Sequence, residues 1–420
     1  MKKLSNLLKW LDTNILYILV GLFVLLIPLY PKLPLRMVNY TYIAVRLEDL
    51  YMAVLLSVFF IQLVRKKVEL NRKFFVLFLL YWGAVFLSTL NGIFLTKDIV
   101  ISNLGFLHAI RRVEYMAIFL IVLSIVKTKK HFYQLLSFFF VSLLLVNIYG
   151  MGQKFLGWPA VQTMNPEYAK GYFLFLTPEA RISSTFAGHY DLAAYLVFLI
   201  PIVLGYYFSK GRFYYFFLAC FSILSLIFTA SRISYGAYLI STLPFLIFLK
   251  KPKHFLIILL LTIALTFTSK NLTSRFSRTF QVKQIFVNQN TGQVVVPQKI
   301  TSKEVPAGTF YINLKTAPKP GSANQAALLN ERLLEEIRTD ARSTGKKLTP
   351  EEEQMLIASM TANLKPINTV VSDISFATRL QVEWPRAINA FLKNPLFGTG
   401  PSSITEATDN DYLRSIGEVG

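Results

Sequence analysis

Residues 50–90 read LYMAVLLSVFFIQLVRKKVELNRKFFVLFLLYWGAVFLSTL, and this stretch decides the fold class. Two long apolar runs flank a connection holding Arg65, Lys66, Lys67, Arg72 and Lys73. Apolar blocks of about 15–20 residues match the thickness of a lipid bilayer. Such blocks recur along the chain. They predict nine helices at roughly 14–31, 50–64, 74–94, 107–126, 132–150, 191–208, 213–230, 233–249 and 254–269. The shorter ones must borrow flanking residues or tilt to cross. The expected class is therefore an all-α polytopic membrane protein.

Composition agrees. The chain has 420 residues, 54% of them hydrophobic and only 16% charged, against about a quarter charged in soluble domains. This argues against a disordered chain and against an ordinary soluble enzyme. Yet the net charge is +21, from 44 Lys+Arg and 23 Asp+Glu. A basic excess can mark a nucleic-acid binder. Here the positions give another reading. Lys2, Lys3 and Lys9 open the chain, and the basic clusters 65–73, 127–131, 210–212 and 250–253 fall in alternate connections. Nine helices with a cytoplasmic N-terminus put every one of these inside. The bilayer is then the partner and nucleic acid is not. The expected location is the inner (cytoplasmic) membrane, multi-pass, with the large loop extracytoplasmic.

The single cysteine, Cys220, lies in an apolar block and reads as a small hydrophobe. No Cys/His cluster has zinc spacing, so neither a metal nor a cofactor is expected.

Three domains are read: 1–269 as the transmembrane helical domain, 270–370 as an extracytoplasmic insertion of small mixed α/β type, and 371–420 as an amphipathic helix with a terminal loop. Within the insertion, Gln293–Val296 and Thr309–Lys315 read as strands. Ser322 to about Arg342 reads as an amphipathic helix. Thr349-Pro350-Glu351-Glu352 is a capping box that starts another helix, ending near Leu364. A further helix is expected from Asp373 to Leu392, with Leu380, Trp384, Ile388, Phe391 and Leu392 on one face. Trp384 suits a membrane interface, and Pro385 should kink or restrict the helix.

Ionisable groups beside membrane spans are costly and mark functional candidates. On the outer side they are Arg46, Glu48 and Asp49; His108, Arg111, Arg112 and Glu114; Arg181, His189 and Asp191; Ser231-Arg232; and Arg379 and Arg386. Arginine outside runs against the positive-inside bias, and guanidinium forks match phosphate oxygens. The competing reading is that each arginine snorkels or pairs with a carboxylate. For Arg181 and Arg232 the diphosphate reading is preferred, because the turn before Arg232 is too short for an idle loop. The tail, PLFGTGP at 395–401 followed by TDNDYL at 408–413, makes a tight bend that delivers Asp409 and Asp411. Either is a general base for a hydroxyl, or Asp409 or Asn410 simply caps a helix over Tyr412–Glu418.

Four stretches together resemble the O-antigen ligase / O-antigen polymerase family of bacterial membrane glycosyltransferases. They are VRLEDL at 45–50, RISSTFAGHYDLAAYLVFLIP at 181–201, Ala230-Ser231-Arg232 with Tyr235-Gly236, and RLQVEWPRAINAFLKNPLFGTGPSSI at 379–404 continuing into DNDYLRSIGEVG at 409–420. The resemblance implies a C-type glycosyltransferase fold and an enzyme of surface-polysaccharide assembly, working outside the cell. It implies a polyprenyl-diphosphate-linked oligosaccharide donor and a glycan or lipid acceptor. It implies that Arg181 and Arg232, with Arg379 and Arg112, bind the diphosphate, and that Asp409, Asp411 or His189 handles the proton. The family's ligase pattern has His-Asn before the Tyr-Leu pair, and here Asp409 stands in place of the histidine. Family members also continue into further helices beyond the position of Gly420, so a C-terminal truncation is expected. Two other classes stay open. One is a transporter or exporter of a glycan or small anion, although no internal repeat is visible. The other is an interaction protein that binds cell-wall glycan through residues 270–370.

Overall fold

The computed structural model describes residues 2–37, 44–163, 171–177, 180–277, 280–288, 294–295, 304–306, 330–331, 333–334, 337–338, 349–361, 364–373, 383–404 and 410–420. Helix α1 (Lys2–Leu26) runs into a 3-10 turn (Ile27–Leu29) and a ribbon of β1 (Pro34–Met37) and β2 (Ala44–Arg46). Helices α2 (Leu47–Val64), α3 (Arg72–Leu90, extended by a π-turn over Asn91–Leu95), α4 (Ser102–Ile125) and α5 (Lys129–Phe155) follow. A two-residue pair, β3 (Pro159–Ala160) with β4 (Leu174–Phe175), precedes α6 (His189–Lys210), α7 (Phe213–Phe228), α8 (Arg232–Phe248), α9 (Pro252–Thr268) and α10 (Lys270–Ser277).

Among the described residues a helix stands at each of the nine apolar blocks. Five segments are long and apolar enough to cross a membrane: Asn6–Leu29, Leu47–Val64, Arg72–Leu95, Lys129–Phe155 and His189–Lys210. Helices α7, α8 and α9 are apolar but shorter. Helix α4 is long, but Arg111, Arg112 and Glu114 interrupt its apolar run.

The chain forms two compact units, residues 1–86 with 106–276, and residues 87–105 with 277–420. The first unit has two cores. One gathers Leu143, Leu196, Ile200, Leu204, Ile223 and Tyr238 from α5–α8. The other joins Leu16 and Val20 of α1 to Met52 and Leu55 of α2 and Ile121 of α4. Polar groups inside are paired across helices, as burial demands. Asn147 Nδ2 donates to Ser222 Oγ at 2.9 Å, and the Tyr238 and Thr262 hydroxyls meet at 2.8 Å. At one end of α1, the Asp12 carboxylate takes a two-pronged bond from Arg65 at 2.6 and 2.9 Å and a further contact from Lys67. This clamps the α2–α3 turn to α1.

The second unit holds a four-stranded antiparallel sheet, ordered β6-β5-β8-β7, from β5 (Phe280–Asn288), β6 (Val294–Val295), β7 (Glu304–Pro306) and β8 (Leu364–Asp373). Strands β5 and β8 pair from Phe280↔Ser372 to Asn288↔Leu364. Val294–Val295 lies within the strand expected at 293–296, whereas Thr309–Lys315 lies outside the described residues. Residues 330–331, 333–334 and 337–338 of the expected amphipathic helix are helical, with Leu333 and Ile337 buried. The capping box forms, Thr349 N–H reaching Glu352 Oε2 at 2.8 Å, and Pro350 starts α11 (Pro350–Thr361). A fork from Arg338 holds the Glu353 carboxyl below the usual carboxylate range.

Two expectations are corrected here. Helix α11 ends at Thr361, and Leu364 opens a strand. Asp373 ends that strand rather than starting a helix, so α12 spans only Trp384–Lys393 among the described residues. The physical reason is the run Ile367–Val371, where β-branched side chains favour the pleated strand over a helix. Pro385 does not kink α12. It sits in the first turn, where its missing N–H has no partner to lose. Helix α13 (Asp411–Val419) closes the described chain.

The charge pattern makes a prediction about sidedness. In a Cys220→Ala background, Tyr172→Cys should react with a membrane-impermeant thiol reagent on intact cells. Lys130→Cys should react only after permeabilisation, and the opposite pattern would reverse the orientation.

Candidate functional site

The loop entering α6 carries Arg181 and His189, and its backbone is irregular yet buried. One side chain satisfies three of its backbone groups. Gln153, near the end of α5, accepts from the N–H groups of Ser183 and Ser184 through Oε1, at 3.3 and 2.7 Å. Its Nε2 donates to the carbonyls of Ser184 (2.8 Å) and Pro159 (3.0 Å). The Ser184 hydroxyl donates to Val146 O at 2.7 Å, and that of Thr185 to Pro28 O at 2.5 Å. These bonds hold Ser184 at φ +51°, a left-handed conformation that a non-glycine residue adopts only when its surroundings impose it.

The fixed loop sets the geometry of its charged ends. Arg181 Nη1 lies 2.5 Å from His189 Nε2, and the guanidinium carbon is 5.9 Å from the centre of the Tyr190 ring. Arginine has only donors, so Nε2 must be the acceptor and the imidazole proton belongs on Nδ1. His189 is buried and orients the guanidinium in this arrangement.

Arg232 comes from a different part of the chain. Thr229, Ala230 and Ser231 make a three-residue turn between α7 and α8, with Ala230 at φ +48°. The Ser231 side chain caps α8 by accepting from Ser234 N–H, so Arg232 is the first residue of that helix. A cation there opposes the helix dipole, whereas an anion beside it would be favoured by both. The two arginine stretches meet through the backbone, where Ile182 N–H donates to Phe228 O at 3.3 Å.

The other ionisable candidates of this unit converge on a cluster of both signs of charge. Glu48 contacts Lys32 Nζ at 2.5 Å and Arg46 Nη1 at 3.5 Å. Asp49 accepts from Arg46 N–H at 2.8 Å, completing the N-terminal cap of α2, and lies 3.7 Å from Arg111. Arg111 also donates to Ala44 O at 2.9 Å, and Glu114 interacts with Asp49 and Arg111. Asp191 lies within the electrostatic reach of Lys32 and Arg46. The cluster braces the β1–β2 ribbon, α2 and α4. Arg112 instead donates to the Tyr81 hydroxyl at 3.0 Å.

In the second unit the terminal signature is built around Glu418. Its carbonyl accepts from Gly400 N–H at 2.9 Å and from the Ser88 hydroxyl at 2.5 Å. Its carboxylate, fully buried, accepts from Ser402 N–H and Arg414 Nε, both at 3.1 Å. Gly398 (φ +60°) lies so close that a Cβ would land on the Glu418 carbonyl carbon. At Gly400 (φ +93°) a Cβ would come within 2.6 Å of Ile99 Cδ1. The glycines of FGTG are therefore required by close approach of backbones. Asn410 caps α13, its side chain accepting from Leu413 N–H at 3.1 Å. Asp411 is exposed in the first turn of that helix. Asp409 and Arg379 lie outside the described residues.

Residues 215–419, from the start of α7 to the end of α13, match the family described as O-antigen ligase. Over that region the chain is similar to the O-antigen ligase family. No curated protein and no solved structure is significantly similar to it.

The ligase-family region contains Arg232, Arg379, Asp409 and Asp411, whereas Arg181, His189 and Arg112 precede it. Three residues central to the geometry were not singled out in the sequence. Gln153 reads there as a polar residue trailing a long apolar helix, Lys32 as an isolated cation, and Glu418 as one acid in a short helix. Only Glu418 had a local signal, since it lies between the glycines of GEVG.

Replacing Gln153 with Ala should destabilise the first unit by about 2–3 kcal/mol by stranding buried backbone groups. Thermal unfolding in detergent would register this as a lowered Tm, with Gln153→Glu also lowered because two donor contacts are lost. Gly398→Ala should cost about 1–3 kcal/mol by overpacking and backbone strain. Its expected readout is faster proteolysis within residues 394–420, with the first unit unchanged.

Proposed function

We propose that the protein transfers or polymerises glycan from a polyprenyl-diphosphate-linked oligosaccharide to an acceptor hydroxyl, on the extracytoplasmic side of the inner membrane. The observation that carries this reading is the backbone bond from Ile182, beside Arg181, to Phe228 at the end of α7, just before the turn that leads through Ser231 to Arg232, in a chain whose residues 215–419 resemble the O-antigen ligase family. Two guanidinium groups and two helix N-termini form a setting for a dianionic leaving group. His189 acts as a positioning residue, because its Nε2 accepts from Arg181. Arg112 and Arg379 are the secondary diphosphate candidates.

The chemistry is a displacement at the anomeric carbon. A carboxylate takes the proton of the acceptor hydroxyl, whose oxygen bonds to that carbon. The bond from carbon to diphosphate oxygen breaks, and the lipid diphosphate leaves with the electron pair. The arginines stabilise charge that develops on the leaving group, so they act most strongly in the transition state. Asp409 is the first candidate for the base. Asp411 is the second, because its place in the first turn of α13 also serves the helix dipole.

Arg181→Ala and Arg232→Ala should each lower glycan transfer by about 10²–10³-fold in membranes where the protein is inserted at the normal level. Unchanged transfer would refute the diphosphate clamp. Asp409→Asn keeps a capping side chain but removes proton acceptance, so turnover should fall by about 10²-fold or more. If Asp409→Asn is active and Asp411→Asn is not, the base is Asp411.

A further inference from the structure

Helix α12 has an apolar arc wider than its neighbour covers. Ala387 is buried, next to Gly417 of α13. One turn around, Ile388 and Leu392 are 45% and 66% exposed, and the stripe continues into Leu396, 82% exposed, and Phe397. Arg386, Asn389 and Lys393 fall on the other side of the helix wheel. An apolar stripe opposed by basic residues is the pattern of a helix lying at a lipid surface.

A second observation gives the occupant and the depth. The same unit contains Leu87–Gly105, which includes the last turns of the membrane-length segment Arg72–Leu95. Lys393 at the end of α12 makes an ion pair with Asp98, just beyond that segment. The Ser88 hydroxyl bonds the carbonyl of Glu418, and Gly400 packs on Ile99. Helix α12 and the loop after it are thus fastened to the end of a spanning helix. That end is itself apolar and open, with Phe94, Leu95 and Val100 exposed. A helix that crosses the hydrocarbon layer ends at the interface, so whatever is fastened there shares that depth.

We propose that α12 lies in the membrane–water interface where the Arg72–Leu95 segment ends, with Ile388, Leu392, Leu396 and Phe397 inserted among the lipid chains. The partner is the phospholipid surface, and Arg386 and Lys393 stand at the level of its phosphates. The contact holds the glycine-rich loop, 394–403, at headgroup depth. It depends on the membrane crossing of α3 and not on the proposed reaction, so the two can fail separately.

The test uses the full chain in nanodiscs of phosphatidylcholine and phosphatidylglycerol, in a Cys220→Ala background. A nitroxide is placed in turn at Ile388→Cys, Leu392→Cys, Leu396→Cys and Asn389→Cys. Relaxation by lipid-soluble oxygen should exceed that by a water-soluble nickel chelate several-fold at 388, 392 and 396, and the order should reverse at 389. Dominance of the nickel chelate at all four positions would overturn the proposal, because the stripe would then face water. Exclusion of both relaxants from 388, 392 and 396 would also overturn it, because protein would then cover the stripe. Brominated lipid supplies a check without labels. The part of tryptophan emission lost in Trp384→Phe should be quenched by it, and an unquenched Trp384 would contradict interfacial placement.

Discussion

In so apolar a chain, the cost of a buried backbone group without a hydrogen-bond partner governs the architecture. Within a helix the backbone satisfies itself, and helices fill most of the first unit. The loop at 181–188 is the exception, because it is both irregular and buried. The two ends of one amide, Gln153, supply three of its contacts and tie it to Pro159. With that loop fixed, Arg181 meets His189 and the backbone reaches the end of α7. In the second unit Glu418 has the same part. Its carbonyl and carboxylate collect the donors of the glycine-rich loop.

Charge divides by what faces it. Lys32, Arg46 and Arg111 stand opposite Glu48 and Asp49, and the group acts as a brace. Arg232 opens α8, where the backbone dipole adds to its charge, and Arg181 meets His189 at the start of α6. The start of a helix favours an anion, and a diphosphate is the anion proposed for it. Both kinds of arginine occur beside apolar helices and look alike in the chain. What distinguishes them is the segment of the chain that the fold brings to each.

Part of this was legible in the residues. Apolar run lengths located helices α1 to α9, and the Thr349 box located the start of α11. Asn410 as a cap was also readable, because short polar side chains before a helix have that local use. The failures share a cause. Leu364–Asp373 pairs with Phe280–Asn288, more than seventy residues earlier, and no local periodicity records so distant a ladder. The spacing of apolar residues in 373–392 predicts one helix, although its first residue, Asp373, is the end of that strand.

By itself the sequence determined the membrane character, the positions of the apolar helices and the family resemblance, because each rests on local composition or on motifs contiguous in the chain. The tertiary structure alone decided which polar residues act together. It showed Arg111 bound into a brace, His189 turned toward Arg181, and Gln153 and Glu418 as the centres of their loops. These are pairings between segments far apart in the chain. Their strength depends on distance and burial, and neither is written in any one stretch of residues.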